Sequence, residues 1–383
     1  MTRHETVIVG GGIAGLACAR ALSDAGRSFM LITEDIGGRV RASADGKVNL
    51  GAYYVRADYH HVNQFVDRGR RIRRRDVICG HSDGSFSRLG APLLTHPREA
   101  VRFLLLLRRF HRYYGAFQRA CVHMQQEEAL AADPVMWGLY HEPAQAFIQR
   151  HRLETVSRSV LAPAAQATAF ASPDRLTALA LLFGALPTIV PMYEYVFRFD
   201  RLTRGFEDSI SRGTVIRVTS HSGYHSVETT DGEAIEGQNL VVATPADVSA
   251  RLLGLEKIKA PIGAHLFLVR GVLREPWSDA TCSLFPEGDA VCGIARQADG
   301  RAVFCTMLGD PDFERCFASW DVEEHHHWNQ AFHLEGSAIL SCEQGPGLYL
   351  IGDHNVCNLE DAYITGVYAA NQIIASVPMA SPS

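Results

Sequence analysis

The chain has 383 residues, 47% hydrophobic and 21% charged, an ordinary globular composition with length enough for two domains and a sizeable core. A formal charge of −5 gives no overall basic field, so no nucleic acid is expected as a partner. No apolar run reaches the roughly 18 residues of a membrane span, no secretory pattern opens the chain, and nine scattered cysteines without a C-x-x-C pair exclude a disulfide frame or a zinc site. A cytoplasmic protein is expected.

In chain order, Thr6–Val9 is short and β-branched, Gly10–Gly12 is a turn, and Ile13–Ala25 is an Ala- and Leu-rich helix stopped by Gly26. Ser28–Thr33 is the next strand, which makes a βαβ opening. Pro97 to about Pro191 is mostly helical: Phe103, Leu107, Phe110, Tyr114 and Phe117 recur at helical spacing. Strands return over Val215–Thr244, with a hairpin turn at Thr230-Asp231-Gly232, and again at Ile262–Val272, Ala302–Leu308 and Gly347–Ile351. Leu359–Ala375 is a final helix. The order predicts an α/β protein in which a Rossmann-type domain (1–75, 196–250, 335–383) is interleaved with a mixed sheet-plus-helices domain (76–195, 251–334).

Gly10-Gly11-Gly12-Ile13-Ala14-Gly15 fits G-x-G-x-x-G between strand and helix. The first glycine permits the turn, the second lets backbone approach a pyrophosphate, and the third lets helix and strand pack closely. The helix N-terminus offers free N–H groups to phosphate. Glu34, 19 residues after Gly15, is placed to accept from ribose hydroxyls.

Two further features favour FAD over NAD. Gly37-Gly38-Arg39 follows at once, bringing backbone and a guanidinium to the phosphates. Gly352-Asp353 ends a strand before a helix, so Asp353 can accept from ribityl hydroxyls while the helix N-terminus faces a flavin carbonyl. Only one glycine fingerprint is present. These motifs resemble the superfamily of flavin amine oxidases and phytoene-type desaturases, with Asn49-Leu50-Gly51-Ala52, Val241-Val242-Ala243-Thr244-Pro245 and Leu359-Glu360-Asp361-Ala362 in the same order. The resemblance implies non-covalent FAD held by Gly10, Gly12, Ile13, Ala14, Gly15, Glu34, Gly37, Gly38, Arg39, Gly51, Ala52, Tyr53, Val215, Ala243, Gly352, Asp353, Leu359 and Ala362. One departure stands out: the family's ribose glutamate aligns with Thr33, one residue before Glu34.

On the substrate side, the same resemblance gives Phe267, Trp328 and Asn358 as lining residues. Phe267 falls where amine oxidases often carry a lysine and Asn358 where they often carry an aromatic ring, which argues against an ordinary amine oxidase. The stretch Leu161–Leu186 resembles a desaturase lid. Implied is hydride transfer from an apolar or aromatic-containing small molecule to flavin, with dioxygen or another acceptor; the alternatives are an amine oxidase and a non-redox flavin isomerase or binding protein. His265, His354 and Tyr53 are titratable groups near these motifs, and no residue is assigned as catalytic acid or base. His325-His326-His327 lacks metal-ligand spacing, so no metal is expected. The arginine run Arg68–Arg75 and the helix with Arg102, Arg108, Arg109 and Arg112 fit either a solvated face or peripheral contact with an anionic membrane.

Overall fold

The computed structural model describes residues 2–52, 54–256 and 258–376. Tyr53 lies outside the described residues. Strand β1 (Thr2–Val9) is followed by helix α1 (Ile13–Asp24) and strand β2 (Phe29–Thr33). Val7, Ile8 and Val9 are buried, as a central parallel strand covered on both faces requires. α1 ends where Gly26, in the left-handed region at φ 68°, donates its N–H to the Ser23 carbonyl.

The remaining elements that place the site are β3 (Val77–Gly80), α2 (Pro97–Ala120), α3 (Ala178–Ala185), β4 (Ile210–Arg212), β5 (Ala234–Val242), β6 (Ala260–Leu273), β7 (Val291–Arg296), β8 (Ala302–Thr306), β9 (Phe317–Glu335), β10 (Leu348–Leu350) and α4 (Leu359–Ser376). One sheet has eight strands, with Glu343–Gly345, β10, β5, β1, β2 and β4 in that order and the hairpin Val215–Thr229 attached to β5. Parallel pairing aligns Val9 with Ile32 and with Val242, and Val242 with Leu350, so these strands end together at one edge. The glycine turn, Glu34, Ala243 and Gly352 all leave that edge. β1 has a neighbour on each side, and the chain crosses over there, which is the usual place for a ligand on an open α/β sheet.

A second sheet of seven strands runs β9, β6, β8, β7, Cys282–Leu284, β3 and Phe86–Arg88. The helical layer packs on its inner face. Phe103, Leu107, Phe110 and Tyr114 of α2 share one core with Leu181 and Leu182 of α3 and Leu266 and Leu268 of β6. A separate core joins α1 and α4 to the first sheet. The helices touch closely because residue 366 is glycine: a Cβ there would sit 2.2 Å from the Ala14 carbonyl oxygen. That contact brings both helix N-termini to the same cleft.

All nine cysteines are buried and none forms a disulfide. Among the described residues no helix is long and apolar enough to cross a membrane, and no cluster is arranged to hold a metal ion. His325 and His327 share one face of β9, stacked on His265 with ring centroids 5.3 and 4.0 Å apart, while His326 lies 3.3 Å from Glu324.

Candidate functional site

A single cleft of about 730 Å³ runs from the glycine edge of the first sheet to the helical layer. This is within the roughly 300–1,000 Å³ typical of cofactor and small-molecule sites. Gly10, Gly12, Ile13, Ala14, Glu34, Gly37, Gly38, Arg39, Gly51, Ala52, Val215, Ala243, Gly352, Asp353, Leu359 and Ala362 all line it. These residues come from six separate segments of the chain.

The glycines divide by what a side chain would strike. A Cβ on Gly10 (φ 109°) would lie 2.6 Å from the Ala243 oxygen, and one on Gly15 would lie 2.0 Å from the Gly10 oxygen. Gly15 does not line the cleft; it lets α1 pack on β1. A Cβ on Gly12 would meet nothing within 4 Å. The fold itself therefore places no demand for glycine at position 12, and the bare backbone there faces open cleft. Gly12 is also the N-cap of α1 and no side chain caps the helix, so its first N–H groups are available to an anion. A dinucleotide pyrophosphate fits this cradle.

Thr33 ties down the glycine turn. Its buried hydroxyl accepts from the Gly11 N–H at 2.9 Å and donates to the Asp35 carbonyl at 2.6 Å, tying the glycine turn to the loop after β2. Glu34 lies at the cleft, where Thr214 donates to its carboxylate at 2.7 Å. Val215 is the adjacent buried residue.

Arg39 crosses the cleft. Its guanidinium donates to Asp353 at 2.5 Å and to the Ala331 carbonyl at 2.9 Å. Burial alone would raise the Asp353 carboxyl, but Arg39 outweighs it and holds the carboxyl well below its ordinary range. Cys357 donates its thiol to the other carboxylate oxygen at 2.9 Å. Arg39 thus fastens the Gly37–Arg39 loop to the loop after β10.

Asn358 caps α4, accepting from the Asp361 N–H at 2.9 Å, and donates to the Tyr114 hydroxyl at 2.6 Å. Asp361 is fully buried and accepts from Tyr114, Asn358 and, at 3.2 Å, Gln118. Among the described residues no cation pairs with it. Burial raises its carboxyl to about 6, and the three donors only partly offset this. Because the folded value exceeds the ordinary 3.8, the folded state holds the extra proton between about pH 4 and 6, and stability falls as pH rises through that window. Asp361→Asn should therefore melt higher than the parent at pH 7–8, by about 2–3 kcal/mol. The gap should close below pH 4 in melts read by circular dichroism.

Toward the helical layer the wall becomes aromatic and aliphatic, with Phe170, Leu179, Phe183, Met192, Leu266, Trp328 and Phe332. Phe267 is not among the lining residues. It points to the opposite face of β6, stacked on His325 with centroids 4.1 Å apart, and its neighbour Leu266 faces the cleft. The expectation for Phe267 is thus corrected by one residue, because successive strand side chains alternate faces. Trp328 and Asn358 do line the cleft. His265 does not, and His354 is buried, with burial lowering its imidazole to about 4.

Two cations escaped the sequence reading. Lys259, 5% exposed, donates to the Asn355 carbonyl at 2.6 Å and sits 4.5 Å from the Tyr140 ring centroid. Burial lowers its ammonium to about 8, against the attraction of Cys357 and Asp353. Arg56, 4% exposed, lies over Phe183 at 4.5 Å and is held by Asp58 at 2.9 Å.

Residues 8–68 match the NAD(P)-binding Rossmann-like domain family. No curated protein matches the chain. Among solved structures it is similar to putrescine oxidase bound to putrescine (TM-score 0.70, 13% identity, 97% of this chain and 99% of that one). It is also similar to cyclohexylamine oxidase from Brevibacterium oxydans (TM-score 0.68, 14% identity, 97% and 98%). A fatty acid isomerase from P. acnes, described as CLA-producing, matches equally well (TM-score 0.68, 14% identity, 97% and 98%). With a Rossmann-like domain joined to a separate sheet-plus-helix domain along nearly its whole length, the chain shares the fold of these oxidases and of the isomerase.

Proposed function

We propose that this chain is an FAD-dependent oxidoreductase, a desaturase or oxidase, acting on an apolar or aromatic-containing small molecule, with dioxygen or another acceptor taking the electrons. The observation that carries this reading is the continuity of the cleft: the glycine cradle and the apolar chamber are two ends of one space. The adenosine half of such a site suits NAD(P) and FAD alike. FAD is favoured because the Gly37–Arg39, Gly51-Ala52 and Gly352–Ala362 segments extend the lining well past the pyrophosphate cradle.

When bound, non-covalently in this reading, the flavin supplies a two-electron acceptor for hydride. The chain's own residues do the rest. Gly12 and the α1 N-terminus receive the pyrophosphate, and Glu34 the adenosine ribose. The Arg39–Asp353 clamp fixes the two loops that flank the ligand. The chamber wall orients an apolar substrate and excludes water.

An amine substrate finds little welcome in the chamber. The buried cations Lys259 and Arg56 line the cleft, and Asp353 is already paired with Arg39. An alkylammonium ion approaching Lys259 or Arg56 would meet like charge, and the Asp353 carboxylate is taken up by Arg39. The test is anaerobic bleaching of the flavin absorbance by candidate reductants. Apolar unsaturated compounds should bleach it and simple alkylamines should not. Rapid bleaching by amines alone would replace this reading with amine oxidation.

A further inference from the structure

Helix α2 presents two unlike faces. Its inner face, Phe103, Leu107, Phe110, Tyr114 and Phe117, is buried. Its outer face begins with Val101, 57% exposed, and Leu105, 60% exposed, one helical turn apart. Leu94, 83% exposed, stands on the short helix Ala91–Thr95 that packs against the start of α2. Arg98, Arg108 and Arg112 continue the same outer stripe, are exposed, and form no ion pair among the described residues. The one acid in the first turn, Glu99, is turned away to accept from the Val156 N–H at 2.7 Å.

The basic run elsewhere in the chain sorts itself by partner. Arg70 is tied to Glu194 and to the Arg296 carbonyl, and Arg68 lies over Tyr193. Arg73, Arg74 and Arg75 remain exposed, with only Arg75 near an acid, 3.7 Å from Asp76. Their segment packs on Phe86–Arg88, which packs on Ala91–Thr95. Exposed arginines and exposed aliphatics therefore stand on adjoining elements of a chain whose net charge is −5. Solvated charge alone does not account for three large aliphatic side chains held out among guanidinium groups.

We propose that this surface docks on an anionic lipid bilayer, with Leu94, Val101 and Leu105 entering the headgroup–acyl boundary and the arginines meeting lipid phosphates. The inner face of the same helix packs on α3, whose Leu179, Ala180 and Phe183 line the cleft. Docking would set the chamber wall one helix away from the bilayer.

The purified full-length protein is mixed with vesicles of phosphatidylcholine alone, or with about 30 mol% phosphatidylglycerol added, and sedimented. Binding is expected only to the anionic vesicles, and it should be lost on raising salt from about 50 to about 500 mM because screening shortens the reach of the charges. Arg108→Glu/Arg112→Glu and Val101→Ser/Leu105→Ser should each lower partitioning by about tenfold or more. No cosedimentation of the parent at low salt overturns the proposal. So does equal binding to neutral vesicles. Binding to duplex DNA as tight as to vesicles, with the Val101→Ser/Leu105→Ser protein unaffected, would reassign the surface to polyanions. None of these outcomes depends on the reaction the cleft performs.

Discussion

Gly12→Val is expected to give a folded protein that cannot hold its cofactor. Position 12 has φ −70° and ψ 176°, extended backbone that a β-branched residue adopts readily, and its Cβ would touch nothing in the protein. The valine methyl groups would instead fill the space at the α1 N-terminus where a pyrophosphate must approach. The loss should be on the order of 100-fold or more in FAD affinity, about 3 kcal/mol, with melting of the apo-protein nearly unchanged. Gly15→Val provides the contrast. There a Cβ would lie 2.0 Å from the Gly10 oxygen, so folding itself should fail. If both variants bound FAD like the parent, or both failed to fold, the division between ligand-facing and fold-facing glycines would be wrong.

Removing Asp353 should cost both stability and cofactor. Asp353→Ala leaves the Arg39 guanidinium without its carboxylate and deprives the Cys357 thiol of its acceptor. Breaking a largely buried ion pair by taking one partner is strongly destabilising. Arg39 is about one-third exposed, which softens the penalty to about 2–4 kcal/mol. The two loops that flank the ligand would lose their fastening, so FAD affinity should fall as well. Asp353→Asn, which keeps a hydrogen-bond acceptor, should fall between parent and alanine in chemical denaturation and in FAD titration. An alanine variant as stable as the parent would show that the clamp contributes nothing.

The glycine-cradle half of the cleft was legible because its requirements are local. A strand, a glycine turn, a helix and an acid after the next strand follow each other within 34 residues. Even the departure at Thr33 has a local cause: its hydroxyl bonds the Gly11 N–H, and the next residue, Glu34, lines the cleft. The chamber half was less legible because it depends on contacts far apart in sequence. Phe267 was placed by alignment over a strand, where an error of one residue exchanges the two faces of the sheet. Lys259 reads as a surface residue before an apolar strand. It is buried because the loop carrying Asn355, 96 residues away, folds over it. Strand β9 carries polar and charged side chains on both faces over much of its length, so it lacks the alternation that marks a half-buried strand. Arg56 lies only a few residues past Gly51-Ala52, yet its burial depends on Phe183 from α3.

Flavin binding is tested most directly by the visible absorption spectrum of the purified protein, before and after adding FAD, with the cofactor released by heat and identified. A flavin spectrum and about one FAD per chain recovered in the supernatant are expected. A colourless protein that takes up no FAD, or one that binds NAD(P)H in its place, would contradict flavin binding.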